Sequence, residues 1–110
     1  MRKCELYVKD LAKAMERLTE AVQAYVSGRY DTALAKIGAA FTSLALAYSK
    51  GVIDKEKWKE LSGALYSVRD SILSFDPMKE VVSKGDSVRD KIMRTLLEKY
   101  QECIERGGNV

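Results

Sequence analysis

The stretch from Cys4 to Tyr25, CELYVKDLAKAMERLTEAVQAY, decides the fold. Cys4, Val8, Leu11, Met15, Leu18, Val22 and Tyr25 recur in it at alternating steps of four and three residues. A mean step of about 3.5 residues keeps one apolar stripe facing its neighbours along a slightly supercoiled helix. The same rhythm returns three times downstream. It runs through Tyr30, Leu34, Ile37, Phe41, Leu44 and Tyr48, then Trp58, Leu61, Leu65, Val68, Ile72 and Phe75, then Met93, Leu96, Tyr100 and Cys103. The spacing predicts an all-α fold, an antiparallel four-helix up-and-down bundle forming a single domain over residues 1–110.

Turn residues set the expected boundaries. The first helix is expected over about 4–26, ending at Ser27-Gly28, where glycine accepts the left-handed cap conformation. The second spans about 30–50 and exits through Lys50-Gly51. Asp54 is the expected N-cap of a third helix over about 55–75, with Ile53 stapled onto Trp58. Asp76-Pro77 reads as a further cap and first position, predicting a short extra helical turn over 77–82. Lys84-Gly85 is expected to break it, and Asp86 or Ser87 to cap a last helix over about 87–105. Gly107-Gly108-Asn109 is expected to fray. The short links at 27–29 and 51–53 make the first three helices sequential antiparallel neighbours.

Composition excludes several classes. At 110 residues, 46% hydrophobic and 32% charged, the chain has the makeup of an ordinary globular domain rather than a disordered one. The net charge of +3 is spread evenly, with +1, +2, −1 and +1 over residues 1–28, 29–53, 54–76 and 77–110. That disfavours a strong phosphate-binding face. The first residues lack the apolar core of a secretory signal, and the longest apolar-rich run, Ile37 to Tyr48, is short of the roughly 20 residues that span a bilayer. The expectation is a cytoplasmic protein with no membrane segment.

Cys4 and Cys103 both lie on their stripes, near the start of the first helix and the end of the last. In an up-and-down bundle these points share one end of the molecule. One reading is a disulfide closing nearly the whole chain; the other is two free thiols filling core positions. Two thiolates so far apart, with no histidine in the chain, make a poor zinc set.

No catalytic residue, metal ligand or cofactor motif is recognisable in the sequence. Histidine, the commonest general base, is absent, and neither glycine-rich phosphate loop pattern occurs. Glu16 and Glu20 recur at helical spacing, but beside Lys13 and Arg17 they read as solvated surface. Asp90, Arg94 and Glu98 read as i,i+4 ion pairs. Arg2, Lys3, Lys9, Lys13 and Arg17 form a basic stripe, the candidate nucleic-acid face if there is one.

The second helix is unusual. From Ala33 to Tyr48 it carries Ala33, Ala35, Gly38, Ala39, Ala40, Ala45 and Ala47 among its large stripe residues, and Lys36 is its single charge between Asp31 and Lys50. A helix apolar almost all round is either central or covered by a partner. In a bundle this small Ala35, Ala39, Thr42 and Leu46 face outward, a candidate homodimer interface if they are more than a small-residue surface. Tyr25, Tyr30, Tyr48, Tyr66 and Tyr100 cluster toward helix ends, which suits rings packed in the core with wet hydroxyls, or else a base-stacking platform.

The run Tyr25-x-x-Gly28-x-Tyr30-x-x-Ala33-x-x-x-Ile37-x-x-Ala40 resembles the hairpin turn of tetratricopeptide repeats and MIT domains. A single copy disfavours a repeat array. Over Lys13 to Val52 the chain more closely resembles HEPN helical bundles, on Ser27-Gly28-Arg29-Tyr30-Asp31-Thr32-Ala33 and Ala45-Leu46-Ala47-Tyr48-Ser49-Lys50-Gly51. That resemblance implies a compact dimeric bundle, either a ribonuclease or the non-catalytic partner of a nucleotidyltransferase. The nuclease members use an arginine followed by a histidine. Here only Arg69-Asp70 and Arg89-Asp90 offer an arginine beside a polar residue, so the resemblance implies a binding or regulatory role.

The expected function is thus that of a non-enzymatic, self-associating interaction or regulatory protein. The alternatives are a nucleic-acid module using the basic stripe and a HEPN-type partner of a nucleotidyltransferase. Lysine and glutamate enrichment with a terminal disulfide would fit a thermophilic source.

Overall fold

The first stripe does not run as one helix. In the computed structural model, which describes residues 2–109, it divides at Val8 into α1 (Arg2–Tyr7) and α2 (Lys9–Val26). Val8 leaves helical geometry at φ −99° and ψ 8°, although its N–H still donates to the Cys4 carbonyl at 3.2 Å. Cys4 on α1 is bonded to Cys103, with their Cα atoms 5.6 Å apart across 99 residues of sequence. Helix α1 thus lies against the last helix of the chain, which it contacts more than it contacts the following segment. Both cysteines are fully buried.

The remaining helices are α3 (Tyr30–Ser49), α4 (Lys55–Leu73) and α5 (Met78–Glu105). Helices α2 to α5 form the four-helix bundle: α2 packs on α3 and α5, and α4 packs on the same two from the other side. The molecule measures 45 × 24 × 19 Å, and no strand occurs among the described residues. Leu11, Leu18, Ile37, Leu44, Leu61, Leu65, Ile72 and Ile92 fill the middle. The closest pair is α2 with α3. Buried alanines recur there at heptad spacing, Ala14 and Ala21 on one helix and Ala33, Ala40 and Ala47 on the other, so the backbones approach closely.

The expected break at Lys84-Gly85 is absent. The expected turn over 77–82 and the expected last helix over 87–105 merge into a single 28-residue helix, α5, beginning at Met78, and Asp86 and Ser87 lie within it rather than capping it. Gly85 is buried there because α5 passes α2 at this point: an added β-carbon would stand 2.6 Å from Val22 Cγ2. The glycine answers a packing need and not a turn. Pro77, not Asp76, is the N-cap of α5, and no side chain caps it. Asp54 does cap α4, accepting from the Lys57 N–H at 2.8 Å. Ile53 is buried and Trp58 packs against the core.

Four helix exits share one hydrogen-bond pattern. The N–H two residues past the cap returns to the carbonyl five residues earlier: Arg29 to Ala24, Val52 to Ala47, Asp76 to Ser71 and Gly108 to Cys103, at 2.8–3.0 Å. Each exit needs a left-handed residue just past the cap. Three use glycine, Gly28, Gly51 and Gly107, at φ 76°, 77° and 64°; the exit of α4 uses Phe75, at φ 52°. Gly107 and Gly108, expected to fray, are bound into the exit of α5, with Gly108 buried.

Candidate functional site

Three ring pairs join α3 to α4 along their seam. Tyr30 meets Phe75 edge-on at 5.1 Å between centroids, Phe41 meets Tyr66 at 4.6 Å, and Tyr48 stacks on Trp58 at 4.9 Å. Helical geometry explains the alignment. Tyr30, Phe41 and Tyr48 are 11 and 7 residues apart, close to whole numbers of turns, so all three leave α3 on one side. The ladder spans about 27 Å along α3. It is not a closed core: Phe75 is 66% exposed, Tyr66 51% and Tyr30 44%. Between the first two rungs lies a groove of about 490 Å³ lined by Leu34, Ile37, Gly38, Phe41, Tyr66, Arg69 and Leu73. Arg69 stands over the Tyr66 ring, 5.8 Å from its centroid.

The strip expected to face outward lies roughly a third of a turn further round α3 than the ladder. Ala35, Thr42 and Leu46 are exposed, Leu46 at 43%, and Ala39 is half-buried. Helix α3 is therefore not central: it buries Ala33, Ile37, Ala40, Ser43, Leu44 and Ala47 and leaves the opposite side open. Its one intervening charge, Lys36, turns toward α2, where its Nζ lies 3.1 Å from Glu20. The outer side of α3 carries no charge from Ala35 to Ser49.

One end of the ladder is braced by a polar knot. Tyr25, buried on α2, sets its ring edge-on to Tyr30 at 5.4 Å and donates its hydroxyl to the Asp76 carbonyl at 2.5 Å. Ser71 Oγ donates to the Asp76 carboxylate, and Lys84 Nζ donates to Ser71 Oγ at 3.3 Å while lying 3.7 Å from Asp76. The Asp76 side chain is thus engaged here, which is why it does not cap α5. Burial, with smaller contributions from Tyr30 and Asp76, pushes the Tyr25 phenol above its ordinary value.

The basic stripe is broken up. Arg2 and Lys3 ride on α1, Lys9 and Lys13 on α2, and all four are exposed. Arg17 is half-buried and donates to Glu20 at 2.8 Å, with Glu16 at 4.0 Å. Hydrogen bonds from Arg17 and then Lys36 hold the Glu20 carboxyl below its ordinary range. Glu20 was expected to be solvated surface; it is the half-buried hinge of a three-residue bridge between α2 and α3. A second bridge joins the same helices where Lys50 Nζ meets the buried Asp10 carboxylate at 2.8 Å. The expected Asp90–Arg94–Glu98 pairs do not form: Arg94 Nε instead donates to the Asp90 carbonyl at 3.4 Å.

Among the described residues no group of three or more acidic, cysteine or histidine side chains is placed to hold a metal ion, and no helix is long and apolar enough to cross a membrane. The ladder is not legible from single tyrosines, because its rungs pair residues on different helices. The shared register of Tyr30, Phe41 and Tyr48 was the signal available. No family model matches this chain, and no curated protein or solved structure is significantly similar to it.

Proposed function

We propose that this protein is a self-associating helical-bundle interaction module that docks through the α3–α4 face. The observation that carries the reading is an open aromatic ladder along the α3–α4 seam together with a charge-free strip, Ala35, Ala39, Thr42 and Leu46, about a third of a turn further round the exposed side of α3. Aromatic residues with few charges typify the centres of protein interfaces, whereas an ordinary surface mixes charges throughout.

Charge placement favours a second copy of the same chain. Register puts Lys55 and Lys59 at one end of the face and Asp31 and Asp70 at the other, all four exposed. Asp54 and Glu56 at the first end and Arg29 and Arg69 at the second, all exposed, offset part of this charge, so the lysine and aspartate pairs themselves carry the complementarity. Two copies packed antiparallel about a two-fold axis set each lysine pair on an aspartate pair. Two helices about 30 Å long and 10 Å apart offer on the order of 600 Å² in projection, close to the roughly 800 Å² per partner of a standard interface.

The test is mass by light scattering after size exclusion, from 1 to 200 µM. The wild type runs as a dimer whose fraction rises with concentration. Leu46→Glu, which places a carboxylate in the strip, shifts the midpoint to at least about tenfold higher concentration. Lys13→Glu, on α2 away from the face, does not. A wild type that stays monomeric throughout ends the proposal.

A further inference from the structure

We infer that Phe75 is the anchor of this self-association, held out of the bundle by a left-handed backbone so that its ring seats on the opposite end of the second copy's aromatic ladder. The inference rests on the docking reading above and goes beyond it in naming the residue and the register.

Phe75 stands where the fold would take glycine without strain. The other three exits with the same hydrogen-bond pattern do use glycine, and Phe75 adopts a comparable positive φ while bearing a β-carbon and a ring. The ring is not there to fill the core. One edge meets Tyr30 and two thirds of the side chain is open, leaving about 130 Å² of a residue with about 200 Å² to bury. Neither the helix exit nor burial explains a phenylalanine at this position. An aromatic anchor inserted into a partner does. Tyr30, in ring contact with it, and Leu73 and Met78, two and three residues away along the chain, are exposed and supply the apolar rim such an anchor needs.

The register follows from the ladder. Phe75 and Tyr30 form its open end, and Tyr48 stacked on Trp58 forms the other, with Phe41 and Tyr66 between them. Antiparallel packing about an axis near the middle rung lays the Phe75 end of each copy on the Tyr48–Trp58 end of the other. This is the same orientation that opposes the charged ends. Each dimer then contains the anchor twice, so any substitution acts twice.

The experiment uses the full chain with Phe75→Gly and Phe75→Asn, two residues that tolerate the left-handed exit. Sedimentation equilibrium gives the dimer dissociation constant, and thermal unfolding is followed well below that constant so that dimer linkage does not contribute. Expected are a dissociation constant raised at least about 30-fold and a monomer Tm within about 5 °C of wild type. Wild-type dimerisation in both Phe75 variants alongside a weakened Leu46→Glu overturns the anchor while leaving the docking face standing. Unchanged dimerisation in all three variants overturns both, as does a monomeric wild type. A monomer Tm lowered by more than about 10 °C makes the ring a structural staple and also overturns the inference.

Discussion

Gly85 on α5 and Val22 on α2 are so close that a β-carbon added to the glycine would stand only 2.6 Å from a methyl of the valine. Replacing a helical glycine by alanine ordinarily gains up to about 1 kcal/mol. Here the gain is outweighed by overpacking against a stiff β-branched side chain, so Gly85→Ala should lose about 1 kcal/mol net. With Val22→Ala already present, the same change should turn stabilising by about 0.5–1 kcal/mol. Urea unfolding of the four proteins in the cycle checks this sign reversal.

The Cys4–Cys103 bond closes a ring over 99 residues of separation. Loop-closure entropy for a ring of that size is worth about 4–5 kcal/mol. Replacing both cysteines by alanine should therefore lower unfolding free energy by roughly 4 kcal/mol with the bundle's helix content retained. A loss under about 1 kcal/mol would mean that α1 and α5 hold their places without the bond.

Tyr25→Phe removes the hydroxyl that the Asp76 carbonyl accepts and should cost about 1–2 kcal/mol. Because burial raises the phenol of the folded state above 10.0, the folded protein holds its proton where the unfolded chain has lost it. That stability is complete below pH 10 and is lost as pH rises through the folded value. Absorbance titration of the tyrosinates should show one of the six ionising late, and Tyr25→Phe should remove that late step.

The Glu20 bridge acts at the other end of the pH scale. Its folded carboxyl titrates below the ordinary 4.5, held there by Arg17 first and Lys36 second. Its contribution is present above that ordinary value and is lost as pH falls through the folded one. Glu20→Gln should flatten the acid limb of the stability curve below about pH 4.5 and leave the neutral-to-alkaline part with the same shape. An acid limb as steep as that of the wild type would exclude Glu20 from the effect.

Much of the scaffold was legible, and for local reasons. The stripes of Leu11, Leu18, Ile37, Leu44, Leu65 and Ile72 report burial directly, and Gly28 and Gly51 mark helix exits because only a residue free of a β-carbon takes φ near +76° cheaply. Gly85 carries the same letter for a different reason, the nearness of Val22, and so misled the boundary of α5. Asp76 looked like a cap because its use by Ser71 and Lys84 depends on side chains five and eight residues away. The outward strip of Ala35, Ala39, Thr42 and Leu46 followed from period alone, whereas the rungs of the ladder needed two helices in register.

What the sequence determined by itself is that the chain is built of helices and which side of each is apolar, since both depend on spacing within one segment. Tertiary structure decided what those segments do to one another. It tied α1 to the end of α5 through a bond between residues 99 apart, ran α5 straight through Gly85 where α2 comes close, and set three ring pairs across α3 and α4. Local preferences are summed along the chain, but close approach between helices is a property of pairs of distant residues, and no single segment contains it.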